Sequence, residues 1–274
     1  MAEINAEILA AAHETTKGTA IAGPTKILPF NAVLTPMEEI YERTIKDGTY
    51  HELPDDGTER VRRWTEFDGD MGADTRILPF LLEVVAKSGG VKTTPGGGTN
   101  SRLWTYTDTT GIADLKTLTM WWGDPSVEVF SSTYGFLEEL TITADGEGTD
   151  GTMMAINGMA RYFSGLGAPT YPSLILGPTI VPADLQVWLD PAASIGATAL
   201  TGRVTKVEHV LTNNITTKFP PEGPTGTRTF TRTGRGKRSL TTTITMELLD
   251  TTQFDLWDAR TKVGLRVRHN GPII

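Results

Sequence analysis

Between residues 115 and 163, apolar and polar side chains alternate with a period close to two, broken at short intervals by Gly, Asp, Pro or Ser. The pattern predicts successive extended segments at 118–122, 127–131, 136–144 and 153–163, each rich in Thr, Val, Ile, Leu or aromatic residues. Successive side chains of a strand point to opposite faces. Over 136–143 the bulkier set, Phe136, Glu138, Leu140 and Ile142, is therefore predicted to meet a core. Leu137, Glu139, Thr141 and Thr143 take the other face. With short turns between segments, this stretch predicts an antiparallel meander.

Elsewhere the pattern is more mixed. Residues 4–13 predict a short amphipathic helix with Ile4, Ile8 and Leu9 on one side. It either frays as a terminus or orders against a neighbouring subunit. Residues 40–53 predict a hairpin turning at Asp47-Gly48, with a second turn at Asp55-Asp56-Gly57. Its flanks are charged, so the ribbon is expected to project. Residues 75–88 predict a helix capped by Asp74 or Thr75, with Pro79 in its first turn and a stripe of Ile77, Leu78, Leu81, Leu82 and Val85. Residues 101–108 begin the strand series, Leu103 and Thr105 alternating with Trp104 and Tyr106.

A Gly/Pro-rich stretch at 165–178 suggests a boundary. Beyond it, 185–191 echoes 118–125: Trp121, Asp124 and Pro125 match Trp188, Asp190 and Pro191, and Gly135 matches Gly202. A degenerate duplication of one β-unit and chance similarity between two meanders are the competing explanations. Residues 225–249 predict a long hairpin around Gly234-Arg235-Gly236, the most basic spot of the chain. A short helix at 251–260 follows, with Phe254 and Trp257 three apart, then a closing strand with Val263, Leu265 and Val267 inward. The expected organisation is a lead-in at 1–39, a first β-unit at 40–165, a linker at 166–180 and a second β-unit at 181–274.

Composition narrows the function. The 274 residues hold no Cys, which removes thiol nucleophiles, disulfides and Cys-ligated zinc and fits a reducing compartment. No apolar run is long enough to span a membrane. Glu3, Glu7 and Glu14 interrupt what would be a secretory leader. A net charge of −8 argues against gripping nucleic acid by its phosphates. His13, His51, His209 and His269 are far apart in sequence and match no metal spacing. The carboxylates Asp68, Asp70 and Asp74, and Asp145, Glu147 and Asp150, sit near glycines in what read as solvated loops, unsuited to a desolvated acid/base pair. No enzyme, cofactor or metal is predicted. Trp104, Tyr106, Trp121 and Trp122 are either core or a sugar-stacking platform.

The order of parts resembles the major tail tube proteins of long-tailed, siphovirus-type bacteriophages. The resemblance rests on an N-terminal arm, a charged hairpin, the helix, a Gly-rich loop, Leu103-Trp104-Thr105-Tyr106, Leu118-Thr119-Met120-Trp121-Trp122 and Gly135-Phe136-Leu137-Glu138-Glu139-Leu140-Thr141-Ile142. It is clearest over 60–165 and is one of strand and aromatic patterns rather than invariant residues. It implies a mainly β fold, an antiparallel β-sandwich or small barrel with one or two flanking helices. It implies a virion protein that assembles in the host cytoplasm into rings, a hexamer favoured over a trimer of duplicated subunits. Stacked rings would form a tube through which DNA passes without specific binding. Its partners would be its own copies and other tail proteins such as tape measure and terminator, with no membrane.

On that basis Glu138, Glu139, Asp145, Glu147 and Asp150 are candidates for an acidic lumen. Asp47, Gly48, Asp55, Asp56, Arg228, Arg232, Arg235, Lys237 and Arg238 are candidates for contacts between subunits or rings, the basic hairpin pairing with the acidic 55–59 loop. The alternative functions are a capsid decoration or other virion structural protein, or a carbohydrate-binding β-sandwich module.

Overall fold

The computed structural model describes residues 4–5, 8–42, 58–85, 91–93, 103–105, 116–124, 127–149, 151–166, 169–191, 195–197, 199–200, 202–221, 228–247, 251, 254–255, 258–259 and 263–269. It is mainly β. The first part comprises β1 (Ile4–Asn5), β2 (Ile8–His13), β3 (Lys26–Leu28), β4 (Asn31–Glu42), β5 (Thr58–Gly72), α1 (Leu78–Val85), β6 (Val91–Thr93), β7 (Leu103–Thr105), β8 (Leu118–Asp124), β9 (Glu128–Asp145), β10 (Thr152–Arg161) and β11 (Ser164–Leu166). The second comprises β12 (Leu185–Pro191), β13 (Val204–Thr212), β14 (Ile215–Lys218), β15 (Arg232–Arg235), β16 (Ser239–Met246) and β17 (Val263–His269).

The long strand β9 organises the fold by belonging to two sheets. Its residues 128–135 pair with β8 and β11, and its residues 136–145 pair with β10 and β13. One sheet thus runs β1-β4-β5-β10-β9-β13-β16 and the other β3-β2-β8-β9-β11, all antiparallel. Leu9, Leu28, Leu118, Met120 and Trp122 from the second sheet meet Leu34, Phe67, Leu140 and Met154 from the first, and Phe80, Leu81 and Val84 of α1 help close this core. Burial of such side chains, worth about 1.5–3 kcal/mol each, is what holds the two layers together. The result is the sandwich or small-barrel architecture expected from the alternation.

Two predicted segments, 127–131 and 136–144, are one continuous strand. The ladder between β8 and β9 slips between Leu118 and Met120, and Tyr134 there takes a positive φ of 56°. The strand survives because the buried Glu14 carboxylate accepts the Tyr134 N–H at 2.8 Å in place of a strand partner.

The predicted facing of β9 is corrected by a bulge. Asn157 pairs with Glu139 but Gly158 pairs with Leu137, leaving Glu138 without an opposite residue. One extra residue reverses the alternation. Leu137 therefore shares the main core with Leu140 and Ile142, while Phe136 turns to a second cluster with Tyr134 and Phe230. Gly158 permits this close approach, since a Cβ there would overlap the Phe136 carbonyl oxygen and the Phe67 ring.

The N-terminal helix is not formed. Residues 8–13 are strand β2, inserted between β3 and β8, and Ala10, Ala11 and Ala12 are fully buried. α1 begins at Leu78, three residues later than predicted, and residues 86–88 lie outside the described residues, but its cap is as expected. Asp74 Oδ1 accepts the N–H groups of Arg76 at 2.7 Å and Ile77 at 3.1 Å, and Pro79 lies in the first turn. Asp74 Oδ2 also accepts Gly177 N–H at 2.6 Å. Of the predicted hairpin at 40–53, residues 40–42 continue β4 and pair with β5, Ile40 opposite Arg60 and Glu42 opposite Thr58, while residues 43–53 lie outside the described residues. The buried Leu34–Phe67 pair sets that register further in.

The basic hairpin around Gly234-Arg235-Gly236 is also corrected. β16 pairs with β13 and β15 with β14, so 204–218 and 232–246 form one long interrupted ribbon. At the interruption Asn214 has a φ of 45° and its carbonyl accepts Gly236 N–H at 2.7 Å. The glycines mark a kink, not the turn.

Of the helix at 251–260, the described residues show Asp255 N bonding Thr251 O and Ala259 N bonding Asp255 O, helical spacing, while Trp257 lies outside the described residues. β17 spans the predicted residues but, among the described residues, pairs only with β12, and its Val263 and Leu265 are 36% and 42% exposed rather than inward. The matched segments on either side of 165–178 have different neighbours: β8 pairs with β9, whereas β12 pairs with β17 and β13 with β9.

Candidate assembly surface

The face of the β4-β5-β10-β9-β13-β16 sheet that points away from the core carries an acidic, threonine-rich surface. Its lateral rows follow the register. Asp70, Ala155, Thr141, Val210 and Thr241 form one row, and Asp68, Asn157, Glu139, Thr212 and Ser239 the next. Thr143, Glu208 and Thr243 extend a third row, and Asp145 stands beside Lys206 in a fourth. Asp68 and Asp70 lie on β5, not in a solvated loop, and both are exposed. Together with Glu66 and Glu208 they are acidic face residues that sequence alone missed. The strict alternation of Glu66, Asp68 and Asp70 was the available signal, obscured by Gly69 and Gly72.

Of the predicted lumen residues, this face gathers Glu139 and Asp145. Glu138 sits at the bulge, half-buried, and its carboxyl is pushed up from the usual carboxylate range by burial and then by the nearby Glu66. Asp145 also shapes the turn after β9, its Oδ1 accepting the N–H groups of Glu147 at 3.0 Å and Gly148 at 3.2 Å. Glu147 is on that exposed turn and not on the sheet. Asp150 lies outside the described residues.

Among the described residues, this sheet ends in two strands with unpaired edges. Among the described residues, nothing pairs with the far side of β16, whose Leu240 is 64% exposed. At the opposite end, among the described residues, β1 covers only Val33 and Leu34 of β4. Beyond Pro36, whose missing N–H suits an edge strand, residues 37–41 have no partner on this side among the described residues, with Ile40 56% and Tyr41 59% exposed. Cross-strand pairs Arg60–Glu38 at 3.2 Å and Arg62–Glu39 at 3.6 Å stiffen this ribbon.

The basic candidates have partners within the chain. The Arg228 Nη1 donates to the Arg60 carbonyl oxygen, and the Arg228 carbonyl accepts Arg63 N–H at 3.1 Å. Arg238 Nη1 donates to the Val85 carbonyl oxygen at 3.1 Å, at the C-terminus of α1. Arg232 and Arg235 pair through their backbones with Lys218 and Ile215, and the Lys237 carbonyl accepts the Asn214 side-chain amide at 2.6 Å. Asp47, Gly48, Asp55 and Asp56 lie outside the described residues.

The side chains of Trp121 and Trp122 are 3% and 1% exposed, so neither serves a sugar platform. Two of the histidines, far apart in sequence, are brought together by the fold. His209 and His269 meet, Nε2 to Nε2, at 3.1 Å. Burial lowers both, and with the added repulsion from His209 the His269 imidazole is held down to about 4. His13 instead stacks on Phe80 at 4.0 Å beside Glu83.

Among the described residues no group of three or more His, Asp or Glu stands where it would hold a metal ion, and no helix is long and apolar enough to cross a membrane. Comparison with protein-family models finds no match, and no curated protein matches the chain.

Proposed function

We propose that this chain is a structural virion subunit that assembles with its own copies into stacked rings, forming a phage tail tube that conducts DNA. The observation that carries this is a sheet that, among the described residues, is open at both edges, β16 at one end and residues 37–41 of β4 at the other, and bears an acidic and threonine-rich face. An unpaired edge is a template for another strand. Two different edges on one subunit make a head-to-tail contact, which closes into a ring when the rotation permits. With the acidic face turned to the channel, Asp68, Asp70, Glu139, Asp145 and Glu208 repel phosphates instead of binding them. DNA would then slide. The chain acts as scaffold rather than enzyme, meets other tail proteins at the tube ends, and is assembled in the host cytoplasm.

The absence of native cysteine gives a direct test. Met37→Cys on β4 and Thr243→Cys on β16 place one thiol at each open edge. With a short bifunctional maleimide the double variant should yield a ladder of covalent oligomers, and each single variant no ladder. A double variant that stays monomeric under conditions where both thiols are modified would overturn the edge-to-edge assembly.

A further inference from the structure

The two-stranded β12–β17 ribbon reaches the main sheet where two imidazoles face one another. His209 comes from the middle of β13 and His269 from the end of β17, 60 residues later. Their Nε2 atoms are 3.1 Å apart, with ring centroids at 5.3 Å and planes inclined by 69°. On the far side of the first ring, His209 Nδ1 lies 2.9 Å from the hydroxyl of Thr242 on β16. That hydroxyl can accept the Nδ1–H, which leaves the Nε2 lone pair directed at His269. The second ring has no such support, because His269 Nδ1 is buried with no hydrogen-bond partner among the described residues.

Metal geometry fits this spacing. Imidazole nitrogens bind zinc at about 2.0–2.1 Å, so a tetrahedral ion sets two of them about 3.3 Å apart and their ring centroids about 5.2 Å apart. The observed separations differ from these by only about 0.2 Å or less. We propose that His209 and His269 form a two-histidine site for a divalent transition metal of the zinc class, which clamps β17 to β13.

Imidazole suits Zn2+, Ni2+ and Cu2+ rather than Mg2+ or Ca2+. Thr242 supplies the outer contact that orients a ligating ring. No third His, Asp or Glu joins the pair among the described residues, so solvent completes the coordination and binding is weaker than at a closed four-ligand site. The same atoms would otherwise make a direct N–H···N hydrogen bond, and in that case added metal has nothing to offer.

The test uses the full chain, stripped with chelator and dialysed, titrated with Zn2+ in a calorimeter and followed by thermal unfolding. The expected result is one ion per chain taken up below about 100 µM with a rise in Tm. His209→Gln and His269→Gln should each weaken uptake at least about tenfold. No uptake by the wild type in that range, or unchanged affinity in both folded variants, would overturn the site. Should either variant fail to fold, diethylpyrocarbonate labelling of the wild type decides. Zn2+ must shield His209 and His269 and leave the labelling of His13 unchanged; equal labelling of the pair with and without Zn2+ refutes the clamp.

Discussion

Replacing Glu14 by Ala should be among the most damaging single changes outside the apolar core. Glu14 is 5% exposed and follows the last residue of β2. Its carboxylate accepts Gly18 N–H at 2.6 Å, Tyr134 N–H at 2.8 Å and the hydroxyls of Thr117 and Thr119. The two threonine hydroxyls can rotate to other acceptors. The two backbone N–H groups cannot, and each buried donor left without a partner costs about 1–3 kcal/mol. The lost carboxyl volume adds a small cavity. The left-handed Tyr134 also loses the contact that offsets its strain, itself about 1 kcal/mol or more.

The sum for Glu14→Ala is about 3–7 kcal/mol, a large part of the 5–15 kcal/mol typical of a folded domain. For a chain of this size that lowers Tm by roughly 10 °C. Glu14→Gln keeps one acceptor oxygen but turns an amide N–H2 towards donors, so it should fall between Ala and wild type. Urea unfolding of the three proteins measures this, with Glu208→Ala on the open face as a control expected to shift by less than about 0.5 kcal/mol. If Glu14→Ala costs under about 1 kcal/mol, the ladder break in β9 is held by something other than this carboxylate.

Other changes probe separate parts of the account. Gly158→Ala forces a methyl into the Phe136 carbonyl oxygen at the β9 bulge and should cost about 2–3 kcal/mol in thermal or urea unfolding. Arg238→Glu should lower stability by about 1–2 kcal/mol even in dilute monomer, because it trades a donor to the Val85 carbonyl oxygen for an acid at a helix C-terminus. With chelator present, stability should fall as the pH drops from above 6.5 towards about 4. His269 is lowered on folding, so the unfolded chain binds its proton first, and the stabilisation present above 6.5 is lost across that window. After screening this amounts to about 1–2 kcal/mol, and His269→Gln should flatten the slope.

Much of the fold was legible because alternation reports a strand wherever one face is buried. β8, β10, the span of β17 and the capped start of α1 followed from side-chain period and from Asp74, whereas β9 was expected as two segments. Failures have identifiable causes. The bulge at Glu138 leaves normal alternation on either side of it, so only the partner strand reveals the change of phase. β2 is read as a helix because alanine favours helices, yet Ala10–Ala12 are buried there in a strand paired with β8. Gly234 and Gly236 signal a turn locally, while the pairing of β13 with β16 is decided by contacts more than 25 residues away. On the candidate surface, Glu139 and Asp145 were candidates through the resemblance to tail tube proteins. Asp68, Asp70 and Glu208 needed the register that lines them up, and the meeting of His209 with His269 needed the tertiary fold.

Negative-stain electron microscopy of the concentrated, purified protein, with a light-scattering mass measured beside it, bears most directly on self-assembly through the two open edges. Rings or tubes with a central hole are predicted for the wild type. Lysine at Leu240 and Thr243 on the β16 edge should abolish them while leaving the monomer folded. A monodisperse wild-type monomer across the whole concentration range, or tubes that form equally well with the charged edge, would contradict the account.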